Sequence, residues 1–229
     1  MTEEFLVYYG FPIIGLIITL FAQFYVNNSY SKYKKHKIVN KQTGAETARM
    51  ILDVNGLNNI KVTEVRGNLT DHYDPRKKVV SLSSDIYHGT SIASVSVAAH
   101  ECGHAIQDKE NYLFLTVRNK MVPIVNFSSK ISYLVIIIGI AFSAEEIAVF
   151  GLLLLLAMLL FQLITLPVEF NASKRAKTQL SSLNVVNDQE LKGTKTMLNA
   201  AALTYVAAFI TTLLQILRIA FRILNNRKN

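Results

Sequence analysis

The stretch His100-Glu101-Cys102-Gly103-His104 carries the chain's most chemically suggestive spacing. On an α-helix, positions i and i+4 share a face, so His100 and His104 would present two imidazole nitrogens to one ion. Neutral nitrogen ligands suit Zn2+, and a site with three protein ligands leaves one position open for water. Glu101 would not ligate. It would accept the proton of water attacking a carbonyl polarised by the metal, then pass it to the leaving amine. With only five histidines in 229 residues, a chance match of the three fixed letters has odds of roughly 0.5%. The lone cysteine, Cys102, excludes an intrachain disulfide framework. On a helix it points away from both histidines and reads as a small packing residue.

Two histidines need a third ligand. Spacing leaves Asp85, His88, Glu110 and Glu169 open, with His36 and His72 more distant. Glu169 is the most informative, because it closes the apolar run that ends Leu166-Pro167-Val168-Glu169. A carboxylate at the end of a membrane span is costly unless it ligates or is paired. Its alternative reading is an interfacial carboxylate, solvated by headgroups or paired with Arg175.

The elements that must position these groups follow from patterning. Ser91 to Asp108 reads as the helix carrying the motif, and Ala98, Ala99, Gly103 and Ala105 would let it approach neighbouring backbone closely. Thr43-Gly44-Ala45-Glu46 has the form of a capping box and opens a helix ending near Gly56. Ile60 to Val65 and Lys78 to Ser83 alternate as strands, with turn chemistry at Asp74-Pro75-Arg76-Lys77 between them.

The apolar share of 51% sits in blocks at about 5–26, 122–142, 147–168 and 198–217. Each block approaches the ~20 residues of a transmembrane helix. The acidic start Thr2-Glu3-Glu4 argues for a retained anchor over a secretory signal. Only Ser143-Ala144-Glu145-Glu146 separates the second and third blocks, so they form a hairpin that returns Glu169 to the side holding residues 27–120. The net charge of +8 gathers beside the blocks, at Lys32, Lys34, Lys35, Lys37, Lys174, Arg175 and Lys177. That is a juxtamembrane pattern rather than a nucleic-acid footprint, and nucleic acid is not an expected partner. Positive-inside bias places the catalytic segment, about 43–112, in the cytoplasm. A fully spanning last block would conflict with this, because Arg222, Arg227 and Lys228 would then face outward.

The segments Thr70 to Pro75, Val79 to Ser83, Ala98 to Gln107 and Leu166 to Ser173 together resemble the bacterial membrane neutral zinc metallopeptidases of the YugP-like type. More loosely, the Glu-Phe-x-Ala pattern at Glu169 is similar to the gluzincin proteases of membranes. The resemblance implies that Glu169 is the third zinc ligand. A carboxylate usually follows it four residues on, where this chain has Ser173, so Asn171 is the expected substitute as support for a ligating histidine. The resemblance also implies that Val79, Val80, Ser81, Leu82 and Ser83 form an edge strand on which extended substrate lies. His72 and Tyr73 are candidates to polarise the oxyanion of the transition state, with a surface turn histidine as the alternative reading of His72.

The expectation is therefore an α+β membrane protein forming one domain over residues 1–229. About four transmembrane helices would accompany a small cytoplasmic catalytic unit with a short sheet and the motif helix. It would be a zinc metalloendopeptidase acting on peptides or membrane proteins in processing or quality control, with the lipid bilayer as its other partner. The reading from a different class is a zinc-binding membrane scaffold without turnover. Natural substrate and oligomeric state leave no signal in the sequence.

Overall fold

The computed structural model describes residues 5–142 and 144–226. Glu3, Glu4, Ser143, Arg227 and Lys228, used above for orientation and for the hairpin turn, lie outside the described residues. The chain is an α+β membrane protein. A π-helical turn, Leu6–Gly10, leads into α1 (Phe11–Lys34), followed by α2 (Gly44–Val54), β1 (Lys61–Val65), β2 (His72–Asp74) and β3 (Val79–Ser83). Then come α3 (Ser84–Tyr87), α4 (Ile92–Lys109), α5 (Leu113–Ala141), α6 (Glu145–Ser182) and α7 (Asp188–Asn226). Two compact units share these elements. One comprises Met1–Gln23, Val117–Leu166 and Thr204–Asn229; the other comprises Phe24–Thr116 and Pro167–Leu203.

In the first unit lie the apolar stretches of four helices long and apolar enough to cross a membrane. Each helix outruns the block that marked it. The 38 residues of α6 extend about 57 Å at ~1.5 Å per residue, well beyond a hydrocarbon core of ~30 Å. The last block is likewise the middle of one unbroken helix of 39 residues. Large apolar side chains such as Leu16, Ile17, Leu20, Phe21, Ile137 and Leu153 remain more than half exposed, as lipid-facing positions should. Inside, Ile136, Ala148, Leu155, Ile216, Ile219 and Ile223 form a small core. The α5–α6 hairpin is tight: a Cβ on Gly139 would lie 2.3 Å from the backbone nitrogen of Ala148. Small residues at such contacts replace the hydrophobic drive that is missing between helices in lipid.

The second unit is built around α2, α4 and the sheet. The expected capping box opens α2: Thr43 Oγ1 accepts from the Glu46 backbone N–H at 3.1 Å, and the Glu46 carboxylate accepts from the Thr43 N–H at 2.8 Å. Those hydrogen bonds hold the Glu46 carboxyl below its ordinary pKa. Ala48, Ile51 and Leu52 on α2 share a fully buried core with Ala98, Ala99, Cys102 and Ala105 on α4. Cys102 faces the Ala48 carbonyl at 3.5 Å, and burial pushes its thiol pKa well up. It packs, as its helix position indicated. The connector after α1 is tied to the loop before α4 by Ile38 N–H to Thr90 O at 2.9 Å and Ile92 N–H to His36 O at 2.8 Å.

The sheet has the order β1-β3-β2, with β1 parallel to β3 and β2 antiparallel to it. This corrects the expected edge role of Val79, Val80, Ser81, Leu82 and Ser83. Those residues are the middle strand: β1 pairs along all five, and β2 along Val79, Val80 and Ser81. Beyond the end of β2, the Asp71 carboxylate continues the pairing by accepting from Ser83 N–H at 2.7 Å and from Ser83 Oγ at 3.1 Å. Burial pushes the Asp71 carboxyl up in pKa, against the pull of those Ser83 hydrogen bonds. Where it is occupied on both sides, over Val79, Val80 and Ser81, the strand offers no main-chain edge to a substrate. The structure also makes a strand of His72–Asp74. Three residues are too few to show alternation, and the neighbouring β3 defines them.

Candidate metal centre

Local chemistry sets the ends of α4. Ser91 caps its start, accepting from the Ser94 N–H at 3.1 Å. At the other end Asn111 turns into the left-handed region, φ +52°, and Tyr112 N–H closes on the Gln107 carbonyl at 2.9 Å. Between these ends, Gly103 meets α6. A Cβ at that position would stand 2.7 Å from the Ala172 carbonyl oxygen, so only glycine permits this approach. Ala172 lies one turn beyond Glu169, and the contact sets that carboxylate beside the histidine face of α4.

Glu169 Oε2 lies 3.2 Å from His100 Nε2 and 3.7 Å from His104 Nε2. The three potential ligand atoms fall within 4.8 Å of one another. A tetrahedral ion with bonds of 2.0–2.1 Å has ligand–ligand edges of about 3.3 Å, between the two observed separations. The donor set, two imidazoles and one carboxylate, fits Zn2+. Glu169 is only 3% exposed, and a carboxylate so buried is stable only when paired or ligating.

Each imidazole is held through its other nitrogen. Ser173 Oγ lies 3.2 Å from His100 Nδ1, so the hydroxyl itself supports His100 at the position four residues after Glu169. Gln107 Oε1 lies 2.9 Å from His104 Nδ1. Asn171, the expected substitute, acts one step further out: its Oδ1 accepts from Gln107 Nε2 at 2.9 Å and from Arg175 Nε at 2.7 Å. Burial works against protonation of His104, but the nearby Glu169 and Glu101 carboxylates outweigh it and raise its pKa. Glu101 is buried on α4, and no side-chain hydrogen bond or ion pair holds it among the described residues.

The other carboxylates and histidines weighed as third ligands are each engaged elsewhere. Asp85 pairs with Lys34 at 2.5 Å and His88 with Glu64 at 3.2 Å. Glu110 pairs with Arg175 at 2.6 Å, which holds its carboxyl below the usual pKa. His36 Nδ1 lies against Lys32 O at 2.8 Å and His72 Nδ1 against Thr70 O at 2.7 Å. Tyr73 does not offer a free donor either. Its hydroxyl donates to Asp108 at 2.7 Å, and burial together with that carboxylate drives its pKa far up. Gln107 escaped sequence reading. Its one signal was its place three residues after His104, on the same helix face.

Comparison with known proteins bears on the family. Residues 8–224 match the family model described as "Putative neutral zinc metallopeptidase". The chain is 46% identical over 215 residues to the "Putative membrane protease YugP" of Bacillus subtilis (strain 168), an alignment covering 94% of this chain and 96% of the relative. No solved structure matches. A family match over residues 8–224 places this chain in that neutral zinc metallopeptidase family.

Proposed function

We propose that the chain is a membrane-embedded zinc metalloendopeptidase, with His100, His104 and Glu169 holding the ion and Glu101 acting as general base. The observation that carries this reading is the convergence of two Nε2 atoms on one Glu169 oxygen, at 3.2 and 3.7 Å. Bound there, Zn2+ would polarise the scissile carbonyl and acidify water. Glu101 takes the proton that water gives up as it attacks, and hands it to the amine nitrogen as the peptide bond breaks. Burial strengthens each of these electrostatic contacts and costs nothing in reorganisation during the reaction. Substrates are peptides or membrane proteins, in processing or quality control. The basic residues Lys32, Lys34, Lys35 and Lys37, with Lys174 and Lys177, support a cytoplasmic site by the positive-inside rule.

The test is Glu101→Gln in detergent-purified protein, assayed for zinc and for cleavage of a denatured membrane protein. Zinc stays and cleavage falls by at least the ~10²-fold typical of a general base. Undiminished cleavage by the variant overturns the mechanism. Wild-type protein that binds zinc and cleaves nothing favours a scaffold instead.

A further inference from the structure

Building on the zinc reading, we propose that Gln107 is a positioning residue that keeps a proton on His104 Nδ1 and so turns its Nε2 toward the metal position. Gln107 is fully buried, at 0% exposure, and its amide can face only one way. Its Nε2 donates to the Val168 carbonyl at 2.8 Å and to Asn171 Oδ1 at 2.9 Å. A backbone carbonyl can only accept. Asn171 must also present oxygen here, because the same Oδ1 receives Arg175 Nε at 2.7 Å and a guanidinium can only donate. Both Gln107 amide protons are therefore spent away from His104, and its Oε1 is what faces His104 Nδ1 at 2.9 Å.

A carbonyl oxygen demands a proton from its partner, so Nδ1 carries a hydrogen and Nε2 is the nitrogen left for the metal. The ring plane is fixed before any ion arrives, with Nε2 turned toward Glu169. His100 is held differently. The Ser173 hydroxyl at 3.2 Å from its Nδ1 can donate or accept, so it orients the ring without dictating the tautomer. The two ligating histidines thus have unequal roles. His104 is pre-set by a chain of one-way hydrogen bonds running back to Arg175, and His100 adapts.

The test uses the full chain purified in detergent, with zinc ion itself as the probe. Zinc affinity is read by competition with a chromogenic chelator, and histidine tautomers in metal-free protein are read by 15N NMR. Wild type should show His104 protonated on Nδ1. Gln107→Leu should bind zinc about 10–100-fold more weakly, as expected for loss of a group orienting a ligand, and lose the Nδ1–H signature. Gln107→Glu keeps an acceptor toward His104 but sets a carboxylate against the Val168 carbonyl and Asn171 Oδ1. It should melt at lower temperature while holding zinc within about threefold of wild type. A purely structural role would lower affinity and stability together in both variants, and that result overturns the proposal. So does a Gln107→Leu protein that binds zinc as wild type does. If Gln107→Leu does not fold, wild type decides alone: metal-free His104 without a proton on Nδ1 refutes the role of Gln107. A wild type that takes up no zinc refutes the metallopeptidase reading instead, and leaves the tautomer measurement to judge Gln107.

Discussion

Gly103→Ala adds one methyl group where α4 meets α6. Its Cβ would stand 2.7 Å from the Ala172 carbonyl oxygen, and 3.1 and 3.2 Å from the Ala172 Cα and carbonyl carbon. All three are backbone atoms, so no rotamer change relieves the clash. Restoring a contact of about 3.5 Å requires the helices to part locally by roughly 0.8 Å. Metal–ligand distances tolerate only about 0.2 Å, so Glu169, one turn before Ala172, is carried out of bonding reach. Overpacking costs about 1–3 kcal/mol, and replacing a helical glycine by alanine returns about 1 kcal/mol. The net loss of stability is then about 0–2 kcal/mol, while loss of a ligand lowers zinc affinity by more than about 100-fold, roughly 2.7 kcal/mol and a larger effect than the fold itself feels. The assay pairs zinc content after dialysis against a weak chelator with the melting temperature of the metal-free protein. The expected signature is metal loss out of proportion to destabilisation. Full zinc occupancy at unchanged affinity would show that the close approach at Gly103 does not set the ligand geometry.

Two further outcomes follow from the same geometry. Glu169→Ala should lose zinc under this dialysis, whereas Glu110→Ala, whose carboxylate is engaged by Arg175 at 2.6 Å, should keep it; the reverse pattern refutes the ligand assignment. Cysteine replacements at Lys35 and Lys109 should resist impermeant labelling in intact cells while one at Glu145 reacts, and outside labelling of position 109 would reverse the cytoplasmic placement.

The elements that sequence displayed were those whose signal is local. A capping box needs only four residues, so the start of α2 was legible in Thr43 and Glu46. Alternation located β1 and β3 to within a residue, and apolar runs found all four long helices. Hydropathy reports the length matched to lipid, not the length that stays helical. That is why α5 begins at Leu113 and α7 at Asp188, well before their apolar blocks. The strand His72–Asp74 and the middle position of β3 were illegible, because sheet order is decided by partners distant in sequence.

The site divides along the same line. The i, i+4 spacing of His100 and His104 on one helix is a property of the chain alone, as is the small-residue face that includes Gly103. A carboxylate closing an apolar run singled out Glu169 by its cost, but left headgroup solvation and pairing with Arg175 as rivals. Only the fold discriminates: it pairs Arg175 with Glu110 and brings Glu169 Oε2 to 3.2 Å from His100. Gln107 shows the limit most clearly. Its residue type permits two amide orientations, and nothing within α4 chooses between them. The choice is made by a carbonyl and a side-chain oxygen on α6, at Val168 and Asn171, more than sixty residues away in sequence. A helix presents its own ligands by its 3.6-residue period, but the direction of a hydrogen bond needs a partner that only tertiary packing supplies.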